Sequence, residues 1–481
     1  MERVILSSKQ KALRINLDKK IYGTFAEIGA GQEVVRHFFR VGGASGTIAK
    51  AMSAYDKEFS DAIYGAEEFN RYVCRPRLDK MLDQEYGLIL DRINEERQSK
   101  TKFFSYANTV ATIDFKKRFK GHGWMGITFQ TDPNKEPNRV VLHIKPLEAE
   151  AQLQQETIGV MGVNLIYASF FYYQNVEQFM DSLMDNISRD KIEIDTMEMT
   201  GPDFEDVDNR LLSLKLVKNG LTSAVIFSPD GMSVHPGDLL YKKNILAIRG
   251  SFRPVTKVNL DMIVNGYNAF IKDPKVDKDN LQVLFEITLN NLLMEGSVNE
   301  QDFLDRADIL CSLGQTVMIS NYMKYYKLTE YLSSFTDKRM GFIMGVDHLM
   351  EVFNEKYYRN LNGGMLEAFG ILFTRDIKFL LYPFKHPKTG EVQNTQNIRI
   401  HPRVRPLYDY LLFNKRVIDL EDYDESVLNI FSKEVLRMIK KGESGWEEMV
   451  PTYVDIIIKK NRLFGYNPDK AEKKKEEPVS E

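Results

Sequence analysis

In the second half of the chain, short apolar runs alternate with longer segments in which apolar residues recur at helical spacing. Buried strands are predicted at five of these runs, residues 245–248, 282–288, 316–320, 340–345 and 378–383. The helices predicted between them cover residues 258–271, 299–312, 322–335 and 347–373. This alternation predicts an α/β fold with a Rossmann-like, doubly wound parallel sheet of about five strands.

The first half of the chain mixes strand and helix periodicity, which predicts a second, mixed α/β domain. Its predicted strands are residues 22–28, 103–115, 124–130, 138–144, 192–197 and 223–227. Its predicted helices are residues 32–40, 47–63, 78–96, 153–173, 176–187 and 210–218. Residues 1–20 are mixed and basic, which indicates a loosely packed lead-in.

A cluster of turn residues marks the predicted domain boundary. The cluster spans residues 228–237 and contains Pro229, Asp230, Gly231, Pro236 and Gly237. We therefore expect a larger N-terminal α/β domain of unknown role at residues 1–235. The C-terminal domain is expected at residues 236–465 and ends in a helical part. The charged tail, residues 466–481, has no apolar anchor and is expected to be disordered.

The amino-acid composition favours a globular protein and excludes several other classes of protein and site. Of 481 residues, 43% are hydrophobic and 28% charged, which is typical of a globular protein in water. The net charge of −3 gives no basic field for nucleic acid. Cys74 and Cys311 are too few for a disulfide framework or a cysteine-rich zinc site. The longest apolar run, residues 158–173, is too short and interrupted to span a membrane. With no signal peptide at the N-terminus, a cytoplasmic location is expected.

The first predicted strand of the second domain runs into a glycine loop and a new helix. The loop reads Gly250-Ser251-Phe252-Arg253-Pro254, and the helix is expected to begin near Thr256. Glycine lets the backbone approach a ligand closely, and a helix N-terminus offers unpaired N–H groups and a positive dipole end. Strand, loop and helix together predict an anion site.

This loop resembles the first motif of the nicotinate/nicotinamide mononucleotide adenylyltransferase family, Gly-Ser/Thr-Phe-x-Pro-x-His/Thr-x-x-His. Residues 250–259 match at the Gly, Ser, Phe, Pro and Thr positions, and Asn259 stands where the family has histidine. Gly345, Asp347 and Leu349 resemble the family's Gly-x-Asp-x-Leu motif, in the same order along the chain. Of the third motif, Ile-Ser-x-Thr-x-x-Arg, only Ile400 and Arg405 match. The resemblance covers about residues 240–430.

The resemblance implies adenylyl transfer from ATP to nicotinate or nicotinamide mononucleotide, with release of pyrophosphate and with Mg²⁺ bound alongside ATP. Catalytic roles would fall to Thr256, Lys257 and Asn259, whose amide carries no charge. Nucleotide binding would fall to a further set of residues, namely Gly250, Ser251, Phe252, Arg253, Gly345, Asp347 and Arg405. No residue is assigned as a dedicated metal ligand.

Other interpretations stay open. The domain could bind nucleotide without turnover, or the chain could be a scaffold whose role lies in its first half. Asp347 could be a helix N-cap, and Arg405 could lie in a solvated loop. The glycines at 29–31 and 42–46 could hold a phosphate or form plain turns. His122 could contact a substrate or lie in a surface turn. Neither the acceptor nor the oligomeric state follows from the sequence.

Overall fold

The computed structural model describes residues 3–68, 71–93, 95–117, 120–293, 299–374 and 376–468. Two compact units divide the chain between Thr222 and Ser223. The division falls before the boundary predicted at residue 235, and the second unit is the longer one, whereas the sequence predicts the larger domain at the N-terminus. Of the tail predicted to be disordered, residues 469–481 lie outside the described residues.

The first unit combines one mixed sheet with helices. Its strands are β1 (Ile21–Gly29), β2 (Ile48–Ser53), β3 (Lys102–Ala111), β4 (His122–Phe129), β5 (Asn138–Pro146) and β6 (Ile192–Thr200). Its helices are α1 (Ser8–Leu17), α2 (Glu33–Arg40), α3 (Lys57–Tyr64), α4 (Arg75–Arg92), α5 (Glu95–Gln98), α6 (Ala151–Phe171), α7 (Val176–Leu183) and α8 (Asn209–Lys218).

The strand order of the first unit is β2-β1-β3-β4-β5-β6. β1 runs parallel to β2 and β3, and the strands from β3 to β6 pair antiparallel. Side-chain alternation along β1 places Phe25 in the core beneath α2 and α6, and Ala26 in the core against α4. Helices therefore cover both faces of this sheet.

Two predictions for the first unit are wrong. The helix predicted at residues 47–63 is the edge strand β2 followed by α3, because partly buried and exposed residues alternate along β2. The loosely packed lead-in contains α1, whose Ala12 and Ile15 are fully buried. Ser7 and Gln10 form a capping box that fixes the start of α1.

The second unit contains a wider sheet. Its strands are β7 (Ala224–Phe227), β8 (Ser233–Val234), β9 (Asn244–Arg249), β10 (Leu281–Thr288), β11 (Val317–Ser320), β12 (Met340–Gly345), β13 (Ile377–Tyr382), β14 (Phe384–Lys385), β15 (Val392–Gln393) and β16 (Val417–Asp419). Its helices are α9 (Pro236–Leu240), α10 (Lys257–Ile271), α11 (Leu289–Leu292), α12 (Glu300–Ser312), α13 (Tyr325–Leu332), α14 (Val346–Val352), α15 (Gly364–Leu372), α16 (Arg405–Phe413), α17 (Ser432–Lys441) and α18 (Val454–Asn461).

Eight of these strands form one sheet in the order β16-β13-β12-β9-β10-β11-β7-β8. The strands from β16 to β11 are mutually parallel, and β7 and β8 add an antiparallel edge. The predicted five strands are all present as β9 to β13, but the predicted sheet of about five strands is too narrow. The strand predicted at residues 223–227 belongs to this sheet as β7, where it pairs with β11.

Helices pack on both faces of the larger sheet. Gly341 on β12 lies against Phe270 of α10, while its neighbours Met340 and Phe342 pack with α13, α14 and α15 on the other face. The helix predicted at residues 347–373 is two helices, α14 and α15, separated by a 3-10 turn at Glu355–Tyr358. No described helix is long and apolar enough to cross a membrane.

Candidate functional site

Two of the predicted site segments leave the larger sheet at the same edge. β9 and β12 are parallel neighbours, with Ile248 opposite Ile343, so Gly250 and Gly345 both follow the carboxyl ends of adjacent strands. From β9 the chain continues to β10 and β11 on one side, whereas β12, β13 and β16 lie on the other. In open α/β sheets, ligands bind outside the carboxyl ends of strands where the order reverses in this way.

The glycine loop is packed on itself rather than open. A Cβ atom at Gly250 would lie 2.9 Å from the Phe252 ring, so the glycine is required by an internal contact. Phe252 adopts φ of +46° and is almost fully buried, with its ring 5.2 Å from that of Phe285. The side chain of Phe252 is therefore part of the hydrophobic core. Any ligand would contact the loop backbone or Ser251, which is partly buried.

Arg253 is held by α12, the second helix after β10. Its Nε pairs with the Asp302 carboxylate on α12, and the same carboxylate pairs with Arg306. Arg306 also donates to the Ser251 carbonyl oxygen at 3.2 Å. The ion pairs fix the loop conformation, and they compete with any phosphate for the Arg253 guanidinium.

Thr256 and Asn259 form a capping box at the start of α10. Asn259 Oδ1 accepts from the Thr256 backbone N–H and lies 3.0 Å from the Thr256 hydroxyl. Thr256 is fully buried, and two N–H groups of the helix end are satisfied internally. Among the described residues no hydrogen-bond partner reaches the Asn259 amide nitrogen. Lys257, the first residue of α10, is partly exposed.

The second segment is more open. A Cβ atom at Gly345 would meet nothing within 4 Å. Gly345 itself is the N-cap of α14, so Asp347 does not cap this helix and lies exposed in its first turn. His348 is partly buried beside it, and burial lowers the pKa of its imidazole below the ordinary value. Arg249, Glu351, Asp347 and Glu286 all act electrostatically on this imidazole.

A buried ion pair that the sequence interpretation missed lies at the same edge. Arg249, the last residue of β9, donates to Glu286 of β10 from Nε at 2.8 Å and from Nη2 at 2.9 Å. Ser320 donates to Glu286 at 2.6 Å, and the Tyr325 ring lies 4.3 Å from the Arg249 guanidinium carbon. The sequence signal for this ion pair is a charged residue near the end of each of two apolar runs, Arg249 in AIRG and Glu286 in LFEIT.

Arg405 is not joined to the other predicted residues by any contact among the described residues. It is the first residue of α16 and pairs with Asp409 one turn along the same helix, Nε to Oδ1 at 2.7 Å. Its side chain is 42% exposed. Arg405 is therefore a helical residue rather than a loop residue, and its guanidinium stays accessible to solvent.

The first unit has its own strand–glycine–helix turn, at Gly29 to Gly31 between β1 and α2. A Cβ atom at Gly29 would overlap the Val110 carbonyl, and one at Gly31 would overlap the Asn108 amide. Glu27 lies just before the turn, almost fully buried, and burial raises its pKa to about 8. Its Oε1 has no hydrogen-bond partner among the described residues.

Four titratable residues of the first unit are linked across the neighbouring strands β4, β5 and β6. His122, at the start of β4, has Nδ1 3.3 Å from Nε2 of His143 on β5. His143 Nδ1 lies 2.6 Å from Asp195 of β6, and Lys145 Nζ lies 2.6 Å from the same carboxylate. His143 and Asp195 are fully buried, whereas His122 is partly buried. His122 thus lies in a strand, not in a surface turn.

No model of a known protein family matches the sequence, and no curated protein matches it. Among solved structures, competence/damage inducible protein CihA from Agrobacterium tumefaciens is similar over 35% of this chain and 98% of its own, with 15% identity and a TM-score of 0.25. A competence-damaged protein (CinA) superfamily protein from Enterobacter cloacae is similar over 38% and 96%, with 10% identity and a TM-score of 0.25. Similarity at this level carries no argument about this chain.

Proposed function

We propose that the second unit is a Rossmann-like nucleotidyltransferase-like domain that transfers an adenylyl group from ATP to nicotinate or nicotinamide mononucleotide. The observation that supports this most is the juxtaposition of the two motif segments, which follow the neighbouring strands β9 and β12 at the carboxyl edge of the sheet. A crevice at such a position suits a nucleotide, with its phosphates near the helix ends that begin there.

Few special groups are needed for this reaction, since it depends on positioning and on stabilising charge at the phosphates. The Asn259 amide nitrogen and the Lys257 ammonium are the donors at the start of α10 that carry the proposed catalytic roles. Thr256, fully buried, holds Asn259 in place through the capping box and acts by positioning. Gly345 keeps the neighbouring wall of the crevice clear of side-chain atoms.

Magnesium fits the same crevice. Mg²⁺ at nucleotide sites is held by one or two carboxylates together with substrate phosphates. Asp347 is exposed, and no ion pair engages its carboxylate among the described residues. Asp347 would hold the ion, which when bound would neutralise charge on the phosphate oxygens.

The test is product formation from ATP, Mg²⁺ and both pyridine mononucleotides, with the dinucleotide and pyrophosphate detected by mass spectrometry. Asp347→Ala should lower the rate of dinucleotide formation by tenfold or more. Asp337→Ala is the matched control, because Asp337 is also exposed but precedes the amino end of the same strand, β12. Dinucleotide formation at an equal rate in both variants would remove Asp347 from the site, and no product from the wild type would reject the transferase.

A second candidate is a nucleotide-binding protein without turnover. The engagement of Arg253 by Asp302 favours it, as does the uncharged Asn259 at the family's histidine position. Losing one charge-assisted hydrogen bond costs about 1.5–3 kcal/mol. Under this alternative ATP binds to the wild-type chain and no dinucleotide accumulates. Binding and turnover measured on the same preparation separate the two candidates.

A further inference from the structure

A cavity opens at the edge of the larger sheet opposite the proposed nucleotide site. It has a volume of about 480 Å³ and lies where β12, β13 and β16 begin. Arg339, Asp376 and Arg416 each immediately precede one of these strands and line the cavity. The site proposed for nucleotide transfer lies at the carboxyl ends of the strands, so this cavity is separate from it.

The cavity is cationic. Its described lining has four cationic side chains and two carboxylates, a net charge of +2: Arg339, Lys378, Lys415 and Arg416 against Asp273 and Asp376. Lys275 also pairs with Asp376, with Nζ 2.6 Å from the carboxylate. The surrounding cations hold the pKa of Asp376 down at about 2. Lys378 and Arg339 also lower the pKa of Asp273, so both carboxylates stay ionised near neutral pH and the excess of positive charge persists.

The two carboxylates already have several cationic partners. Asp273 pairs with Arg339 at 2.7 Å and with Lys378 at 2.5 Å. Asp376 pairs with Arg339, with Lys275, and with Arg416 Nη1 at 2.5 Å. Since each carboxylate has at least two partners, the donors that are left over define what else the cavity can bind.

Three sets of donors are left over among the described residues. Arg416 uses Nη1 for Asp376 and for the Ile377 carbonyl oxygen, which leaves Nε and Nη2 without a partner. Arg339 is 7% exposed, and its Nε also has no partner among the described residues. Lys415 is exposed and makes no ion pair with any described residue. The Nε and Nη2 pair of arginine matches two oxygens of a phosphate or carboxylate group.

We propose that this cavity binds a small phosphorylated molecule, with its phosphate held by Arg416 and Lys415. A phosphate monoester carries close to two negative charges near neutral pH and balances the net charge of the lining. The volume suits a ligand of metabolite size. Tyr410, which is 63% exposed at the cavity wall, offers a ring face to the remainder of the ligand.

The test uses the full chain with inorganic phosphate and AMP as probes, at constant ionic strength, by isothermal titration calorimetry. The double variant Lys415→Asn/Arg416→Gln removes the proposed donors. Asn tolerates the φ of +52° at position 415, and Asp376 keeps Lys275 and Arg339 as partners. Lys433→Asn removes an exposed lysine elsewhere and is the matched control.

Saturable binding of both probes should weaken about tenfold to a hundredfold in the double variant and stay unchanged in Lys433→Asn. Circular dichroism and the thermal midpoint without ligand show whether the double variant is folded. Gly345→Leu, which adds a side chain at the proposed nucleotide site, should leave phosphate binding to this cavity unchanged. Equal affinity of the wild type and the folded double variant would overturn the proposal, as would no saturable binding to the wild type below about 10 mM.

Discussion

Each unit has a parallel strand that runs through a glycine turn into a helix, yet the two turns differ in what their glycines allow. At Gly29 and Gly31 the space beside the backbone is filled by Val110 and Asn108 of the neighbouring strand β3. At Gly250 the space is filled by the loop's own Phe252, and on the adjacent strand Gly345 faces open space. Only Gly345 among these four leaves room for a ligand without displacing protein atoms.

The difference shows that glycines in a glycine-rich turn can be present for two different structural reasons. Where neighbouring atoms occupy the place that a Cβ atom would take, packing requires the glycine. A substitution at such a position lowers the stability of the fold. A glycine with open space at that position and an ordinary φ, as at Gly345, tolerates a side chain, and a substitution there changes what the proposed site can hold. The contrast is testable, since the two kinds of glycine separate effects on folding from effects on binding.

The largest effect is expected at Gly29. Gly29→Ala should lower the free energy of unfolding of the first unit by about 4 kcal/mol or more, because the new Cβ overlaps the Val110 carbonyl and the residue has φ of +84°. Gly42→Ala is the control, with φ of +82° and nothing within 4 Å, and should cost only about 1–2 kcal/mol. Urea unfolding measures both, and equal losses would mean that the turn is not packed as described.

The next largest effect on stability is expected from Glu27, the buried acid just before the turn at Gly29 to Gly31. The folded-state pKa of Glu27 is raised from its ordinary 4.5 to about 8 by burial, so the folded chain binds this proton more tightly than the unfolded chain. The wild type should therefore lose stability as the pH rises from 4.5 to 8, by up to on the order of 4 kcal/mol. Glu27→Gln removes the titration and should be the more stable protein at pH 9. Parallel stability curves for the two proteins from pH 5 to 9 would contradict this assignment.

Substitutions at Asn259 distinguish its role in the capping box of α10 from its proposed role in catalysis. Asn259→Ala removes the acceptor of the capping box and should cost about 1 kcal/mol of stability. Asn259→Asp keeps an oxygen acceptor and favours the helix dipole, so stability should be retained, but it lacks the amide N–H. If the amide contacts phosphate, the Asp variant should lose ATP affinity at least tenfold while its thermal midpoint stays within a few degrees of the wild type. Unchanged ATP affinity would mean that Asn259 caps the helix and does not contact the nucleotide.

The positions of many strands could be predicted because buried strands are continuous apolar runs. β12 has the predicted bounds, Met340–Gly345, and β9, β10, β11 and β13 differ from prediction only at their ends. The sequence predicts a helix where β2 lies because Ala49 and Ala51 are helix-forming residues in a short, half-exposed strand. The pairing of β7 with β11 is a long-range contact that local pattern does not specify.

The candidate site followed from sequence only in outline. Parallel strands place their carboxyl ends together, so motif order and strand prediction together bring Gly250 near Gly345. The roles of single side chains depend on packing, which periodicity does not describe: Phe252 covers Gly250, and Asp302 engages Arg253. The capping box could have been anticipated from the spacing of Thr256 and Asn259, which places the two side chains at the N-cap and N3 positions.

The most direct test of the account is the affinity of Gly345→Leu for ATP with Mg²⁺, measured by titration calorimetry against the wild type. Gly345 has an ordinary backbone φ of −80° and open space at Cβ, so the variant should fold with a stability change below about 1 kcal/mol. The account predicts that ATP affinity falls at least tenfold, because the leucine occupies the space proposed for the nucleotide outside the carboxyl ends of β9 and β12. Equal ATP affinity in the two proteins, or no ATP binding to the wild type, would contradict it.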